Sequence, residues 1–214
     1  MHARHATRCI AVGIATVALS LGLVACGDDS DSDTASQSSD SQTASNGDVF
    51  NDADVTFATD MIPHHAQAIQ MVTLTDGRTL DPEVQQLATE IRDAQAPEVE
   101  TMVDWLTAWG KEVPETSLDH TNAGHDMSEM PEIEGMDDMP GMMSAEDMQA
   151  LADAPDAEFQ TMWLEMMKEH HEGAIEMAQT EQDAGKFADA LSLAESIVTA
   201  QEAEIEQIDQ LLGS

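Results

Sequence analysis

The chain has 214 residues, room for one ordinary domain with tails, and 42% hydrophobic content, enough to bury a core. Its 43 acidic against 7 basic residues leave a formal charge of -36, which excludes nucleic acid as a partner and attracts cations. Both cysteines, Cys9 and Cys26, lie at the N-terminal end, so a disulfide framework or a Cys-based metal site is excluded from the folded part, leaving His, Met and carboxylates as ligands.

Residues 1–25 begin with Arg4 and Arg8, continue through an apolar run from Ile10 to Ala25, and read as an export signal. Leu23-Val24-Ala25-Cys26 resembles a bacterial lipobox, which predicts lipidation of Cys26 and an anchor on the outer face of the cell membrane. Residues 26–48 are Ser, Asp, Thr, Gln and Ala without an apolar period, the composition of a disordered acidic tether.

A first helical hairpin is expected over 49–110. Asn51 or Asp52 can cap a helix carrying Phe57, Met61, His64, His65, Ala68 and Val72 on one broad face and ending near Gly77, with Pro63 bending it. Asp81-Pro82-Glu83 then starts a second helix with Leu87, Ile91, Ala94, Val99, Met102 and Leu106 inward, a kink at Pro97 and a stop at Gly110. From 111 to 154 the helical period breaks in a Met-, His- and Asp-rich crossover loop, in which Ser144-Ala145-Glu146-Asp147 can cap a short helix through Leu151. A second hairpin follows over 155–214, its two helices separated at Gly185. Four amphipathic helices joined in this order predict an all-α, ferritin-like four-helix bundle of two repeated hairpins with a long crossover.

The hairpins are copies. Met61-Ile62-Pro63-His64-His65-Ala66-Gln67-Ala68-Ile69-Gln70-Met71 recurs without a gap, 106 residues later, as Met167-Lys168-Glu169-His170-His171-Glu172-Gly173-Ala174-Ile175-Glu176-Met177. The register persists downstream: Leu87, Ile91, Gln95, Glu98 and Leu106 match Leu193, Ile197, Gln201, Glu204 and Leu212. Adjacent helical residues diverge by about 100°, so within each His-His pair the rings take different directions, while Met61 stacks with His64 and Met167 with His170 at i, i+3. Sulfur beside imidazole suits copper, Cu(I) above all, better than oxygen-seeking ions. Glu98 and Glu204 are candidate outer partners for the imidazoles or merely solvated helix acids. Histidines hydrogen-bonded in a core and methionines packed as ordinary apolar residues remain the alternative reading.

The crossover offers a second ligand group, with His120, His125, Met127, Met130, Met136 and Met139 spaced around Gly and Pro as a chain wrapping a soft ion requires; Met142, Met143 and Met148 read instead as apolar contacts to the bundle. An unperturbed imidazole protonates near pH ~6.5, so a histidine site is expected to empty on acidification to pH 5 and a thioether site to persist.

Over residues 48 to 213 the doubled Met-Ile-Pro-His-His-x-x-Ala-Ile-x-Met-like motif resembles the signature of the domain-of-unknown-function 305 family. The resemblance implies a ferritin-like bundle and, through the family's CopM-like copper-binding members, extracytoplasmic copper handling, with the ligand roles falling on Met61, His64, His65 and Met71 and on Met167, His170, His171 and Met177. Lys168-Glu169 replaces Ile62-Pro63 in the second copy, so the halves need not bind alike. A di-iron oxidase requires Glu-x-x-His pairs, yet Met61, Ile62, Met167 and Lys168 stand three residues before the histidines, which argues against that enzyme class. The leading expectation is a lipid-anchored copper-binding protein for sequestration or transfer; the rivals are a structural or partner-binding bundle and a metal-dependent oxidase.

Overall fold

The computed structural model describes residues 41–116 and 139–213. Two short antiparallel strands, β1 (Gln42–Thr43) and β2 (Val49–Phe50), precede five helices: α1 (Asp52–Thr73), α2 (Pro82–Ala108), α3 (Ala145–Asp153), α4 (Asp156–Ala184) and α5 (Ala188–Leu212). Helices α1 and α2 form one hairpin, α4 and α5 the other, and the hairpins meet mainly through α1 against α4, with α2 also touching α5. This is the expected four-helix bundle of repeated hairpins. No described helix is long and apolar enough to cross a membrane.

Local signals set the helix starts. The Asn51 side chain accepts from the N–H groups of Ala53 and Asp54 while the Asp54 carboxylate accepts from the Asn51 N–H, a reciprocal capping box. Ser144 and Asp147 repeat that arrangement at α3, which extends to Asp153. Asp81 and Pro82 occupy the N-cap and N1 positions of α2, although the Asp81 side chain makes no capping bond.

Three expectations are revised. The tether does not remain structureless to residue 48: Asn46-Gly47 turns the chain, Gly47 at φ +98, and the resulting hairpin docks on the end of α2. There Phe50 stacks on Trp109 at 4.5 Å, and the Trp109 indole donates to Asp48. The middle of helix α1 is covered on all sides rather than one, every residue from Met61 to Ala68 being buried between α2, α4 and the segment before α3. Ala94 is exposed and the inward position belongs to Gln95, because the buried line on α2 runs Val84, Leu87, Ile91 and Gln95 at three- and four-residue steps and resumes at Met102 and Leu106. Both α1 and α2 continue through their internal prolines.

The core is two apolar clusters. One contains Met71, Leu87, Ile91, Met143, Met148, Trp163 and Met167; the other contains Phe57, Met61, Met102, Leu106, Ala174 and Ile197, with Met177 packed at its edge. Met143 and Met148 therefore act as the predicted apolar contacts, while Met142 stays half-buried. Arg78 fastens the α1–α2 turn to the second half: its guanidinium donates to the carbonyls of Ala152 and Ala154 and lies 3.9 Å from the centre of the Phe159 ring.

At the other end Asn51 donates to the Ala184 carbonyl and Asp54 accepts the N–H groups of Lys186 and Phe187, clamping the start of α1 to the α4–α5 turn. Glu181 is buried beside this carboxylate. Burial first, then hydrogen bonding to Asp54 and its charge, push the Glu181 carboxyl up to about 9. Neither Glu181 oxygen reaches a partner in strict geometry, a conflict that a proton shared with Asp54 removes. The folded state thus holds a proton that the unfolded chain releases above its ordinary value of 4.5, and stability falls as pH rises through that window toward 9. Glu181→Gln, which donates without titrating, is expected to melt higher than the parent by a margin that widens from pH 5 to 9 and vanishes near pH 4; thermal unfolding of both across this range checks it, and a margin independent of pH would contradict the assignment.

Candidate metal centre

The duplicated motif meets itself where α1 crosses α4. The rings of His64 and His170 are 3.8 Å apart between centroids, while within each His-His pair the separation is 6.5 Å and the interplanar angle 57°, the same in both copies. Identical internal geometry in two segments 106 residues apart shows that the two copies are locally equivalent. All four imidazoles are fully buried.

The two rings of each pair diverge as helical geometry requires. His64 and His170 face each other across the axis, whereas His65 and His171 turn toward their own hairpins, where Nε2 lies 2.7 Å from a carboxylate oxygen of Glu98 and Glu204 respectively. In both copies the acid is 33 residues beyond the histidine. The carboxylates sit at the rim, 19% and 16% exposed, and reach inward to rings that have no solvent contact. With Nε2–H donated to the acid, Nδ1 of His65 and of His171 carries a bare lone pair. His64 follows the same pattern with a different acceptor: its Nε2 meets the Pro140 carbonyl at 3.1 Å, again leaving Nδ1 without a partner. Neither nitrogen of His170 meets a partner in full hydrogen-bond geometry, although the His64 backbone carbonyl lies close enough to oppose the lowering of its pKa.

Unsatisfied buried nitrogens cost about 1–3 kcal/mol each, so several in one core layer call for a ligand, an ion or trapped water. The layer also includes Gln95 and Gln201, in-register amides buried one turn before the two glutamates; both side-chain atoms of Gln95 and the Gln201 oxygen lack partners among the described residues. Their match across the repeat was readable in the sequence, but an amide at helical spacing carries no burial signal of its own.

Burial is the main reason that the His64 imidazole is pushed down to about 3; the neighbouring His65 ring adds to it, the Pro140 carbonyl opposes it and His171 contributes least. His170 is lowered well below the usual value, chiefly by burial and then by His64. Both rings are therefore neutral, lone-pair-bearing groups throughout the physiological range.

The sulfurs distribute symmetrically. Met61 and Met167, each a turn before the facing histidines, are fully buried on opposite sides of the layer, in the second and first apolar clusters respectively; Met71 and half-buried Met177 occupy the complementary positions. Among the described residues no three His, Cys, Asp or Glu side chains group around one point. Of the crossover residues singled out from the sequence, Met139 is half-buried at the start of the described segment; His120, His125, Met127, Met130 and Met136, and Cys26 at the other end, lie outside the described residues.

The model for the domain of unknown function DUF305 matches residues 54–212. The chain belongs to this family. A putative secreted DUF305 protein from Streptomyces coelicolor is 31% identical over 75% of this chain and 92% of its own, with a TM-score of 0.63. A DUF305 fragment from Deinococcus radiodurans is 26% identical over 80% and 99%, with a TM-score of 0.62. CopM in its Cu(II)-bound form is 28% identical over 75% and 95%, TM-score 0.59, and in its Cu(I)-bound form 25% identical over 74% and 94%, TM-score 0.57. No curated protein sequence matches the chain.

Because folding lowers the values of His64 and His170, the unfolded chain binds more protons below its ordinary pKa of 6.5, and the imidazole layer loses stability as pH falls from there toward 3. In chelator-treated protein, the midpoint of urea unfolding is expected to drop more steeply between pH 7 and 4 for the parent than for a His64→Leu, His170→Leu variant. Parallel curves would contradict neutral burial of these rings.

Proposed function

We propose that this DUF305 protein is an exported, lipid-anchored copper-binding protein that sequesters or passes on the ion outside the cytoplasm. The observation that carries the reading is the duplicated set of buried imidazoles, three of them presenting a bare Nδ1 while Nε2–H is engaged by Glu98, Glu204 or the Pro140 carbonyl. Engagement of the second ring nitrogen by a carboxylate or carbonyl is how proteins fix a metal-binding histidine in its ligating tautomer. His64, His65, His170 and His171, with Met61 and Met167 and more distantly Met71 and Met177, are the proposed donor set. The copper-bound forms of CopM, a similar protein, and the secreted description of the Streptomyces relative support metal and compartment. Thioether beside imidazole in this proposed donor set favours Cu(I) over zinc, which is met mostly by His, Cys and carboxylate.

Neutral burial changes the pH behaviour expected from a free imidazole. With His64 held near 3, acidification to pH 5 does not protonate it, so the centre is expected to keep its ion at pH 5 rather than release it. Titration with Cu(I), Cu(II) and Zn(II) at pH 7.5 and 5 tests this: Cu(I) should bind at both values, and a His64→Ala, His65→Ala, His170→Ala, His171→Ala variant should lose at least ~10-fold in affinity. Unchanged affinity in that variant returns the chain to the second reading, a structural bundle without metal, which the lack of a preformed group of three His, Cys, Asp or Glu ligands among the described residues favours. Deleting 117–138 measures any separate contribution of the crossover methionines to Cu(I) capacity. The anchor is tested by fatty-acid labelling, which Cys26→Ala should abolish.

A further inference from the structure

Glu98 and Glu204 obey the twofold relation of the hairpins; the Pro140 carbonyl cannot, because one crossover covers only one side of the axis. Residues 139–143 form a strap across the layer. Pro140 and Gly141 are the central residues of a turn closed by the Met142 N–H on the Met139 carbonyl, and Gly141 has φ +73, the pattern of a type II turn. The turn's own hydrogen bond leaves the central carbonyl, that of Pro140, unused, and it points to His64 Nε2 at 3.1 Å.

Two contacts hold the strap there, at positions equivalent in the repeat but opposite in chemistry. In the first copy the buried amide of Gln67 pairs with the Met143 backbone in both directions, Nε2–H donating to the carbonyl and Oε1 accepting the N–H, each at 2.8 Å. In the second copy the matching residue is Gly173, and the strap lies directly on its backbone: a Cβ there would stand 2.1 Å from the Pro140 oxygen and 2.6 Å from the Gly141 Cα. A Cβ on Gly141 would likewise meet the Glu169 and His170 carbonyls at 2.7 and 2.9 Å. The carbonyl is pinned from one side by a paired amide and from the other by the absence of a side chain.

We propose that Gln67 and Gly173 are positioning residues of the metal centre: they clamp the 139–143 strap so that the Pro140 carbonyl fixes His64 with its proton on Nε2 and its Nδ1 lone pair free, giving that ring the orientation that Glu98 and Glu204 give His65 and His171. The inference rests on the copper reading for its consequence, not for its geometry.

Long-range 1H–15N spectra of the metal-free full chain read the tautomer of each ring directly. Wild-type His64, His65 and His171 should each show a single Nε2–H form. In Gln67→Ala, and separately in Gly173→Ala, His64 should become a mixture while His65 and His171, fixed by their acids, serve as unchanged internal controls, and affinity for Cu(I) against a competing chelator should fall ~10-fold. A wild-type His64 protonated on Nδ1 overturns the proposal without recourse to variants, so loss of fold in either variant does not remove the test. An unchanged His64 tautomer in both folded variants overturns it as well. A shifted tautomer in a chain whose wild type binds no copper upholds the strap's role and removes the copper reading alone; normal copper binding with unshifted variants does the reverse.

Discussion

Four buried imidazoles, packed where two helices cross, are the constraint to which the rest of this bundle answers. Apolar side chains would fill the same volume without the cost of about 1–3 kcal/mol for each unmatched polar atom. Instead the layer is flanked by two separate apolar clusters, which supply the burial that tolerates it, and is supplied with acceptors from α2, α5 and the crossover. Helical geometry divides the labour. The 100° step between adjacent residues sends one ring of each pair to the axis and the other to its own hairpin, so a single dipeptide provides both the contact between halves and the link to a rim carboxylate.

Much of this was legible in the sequence because it is periodic. A gapless repeat fixes the relation of the hairpins, apolar spacing gives the helices, and the recurrence of Glu98 at Glu204 in the same register marks the acids that the fold brings to His65 and His171. The Asn51 and Ser144 caps are equally plain, each being a short-range hydrogen-bond pattern with a known residue preference.

What escaped the sequence depends on long-range contacts or on the identity of one residue. Gln95 and Ala94 are adjacent, and only the rotation of α2 against its neighbours decides which turns inward. The Asp54–Glu181 pair joins the start of one helix to the end of another, 127 positions apart in the chain, and no local rule anticipates a carboxyl held protonated by burial and then by such a partner. The Asn46-Gly47 turn lay in plain view, but within a stretch whose composition argues for disorder; Trp109 supplies the apolar surface that the strands themselves lack. By spacing alone Pro140-Gly141 belongs to a soft-ion wrap; its role as a turn that presents a carbonyl depends on the close approach of Gly173 beneath it.

The contrast between Gln67 and Gly173 bears on how such a molecule can arise. Two free copies of either hairpin, associating about the same axis, could in principle supply four imidazoles and both acids, since those features repeat. They could not reproduce the strap, for a homodimer offers the same residue on each side and so has either two amides or two glycines at the place where one of each is required. Covalent fusion of the halves is what permits the difference: once both lie in one chain, a single linker breaks the symmetry, and the equivalent positions become free to drift apart into a holder and a seat.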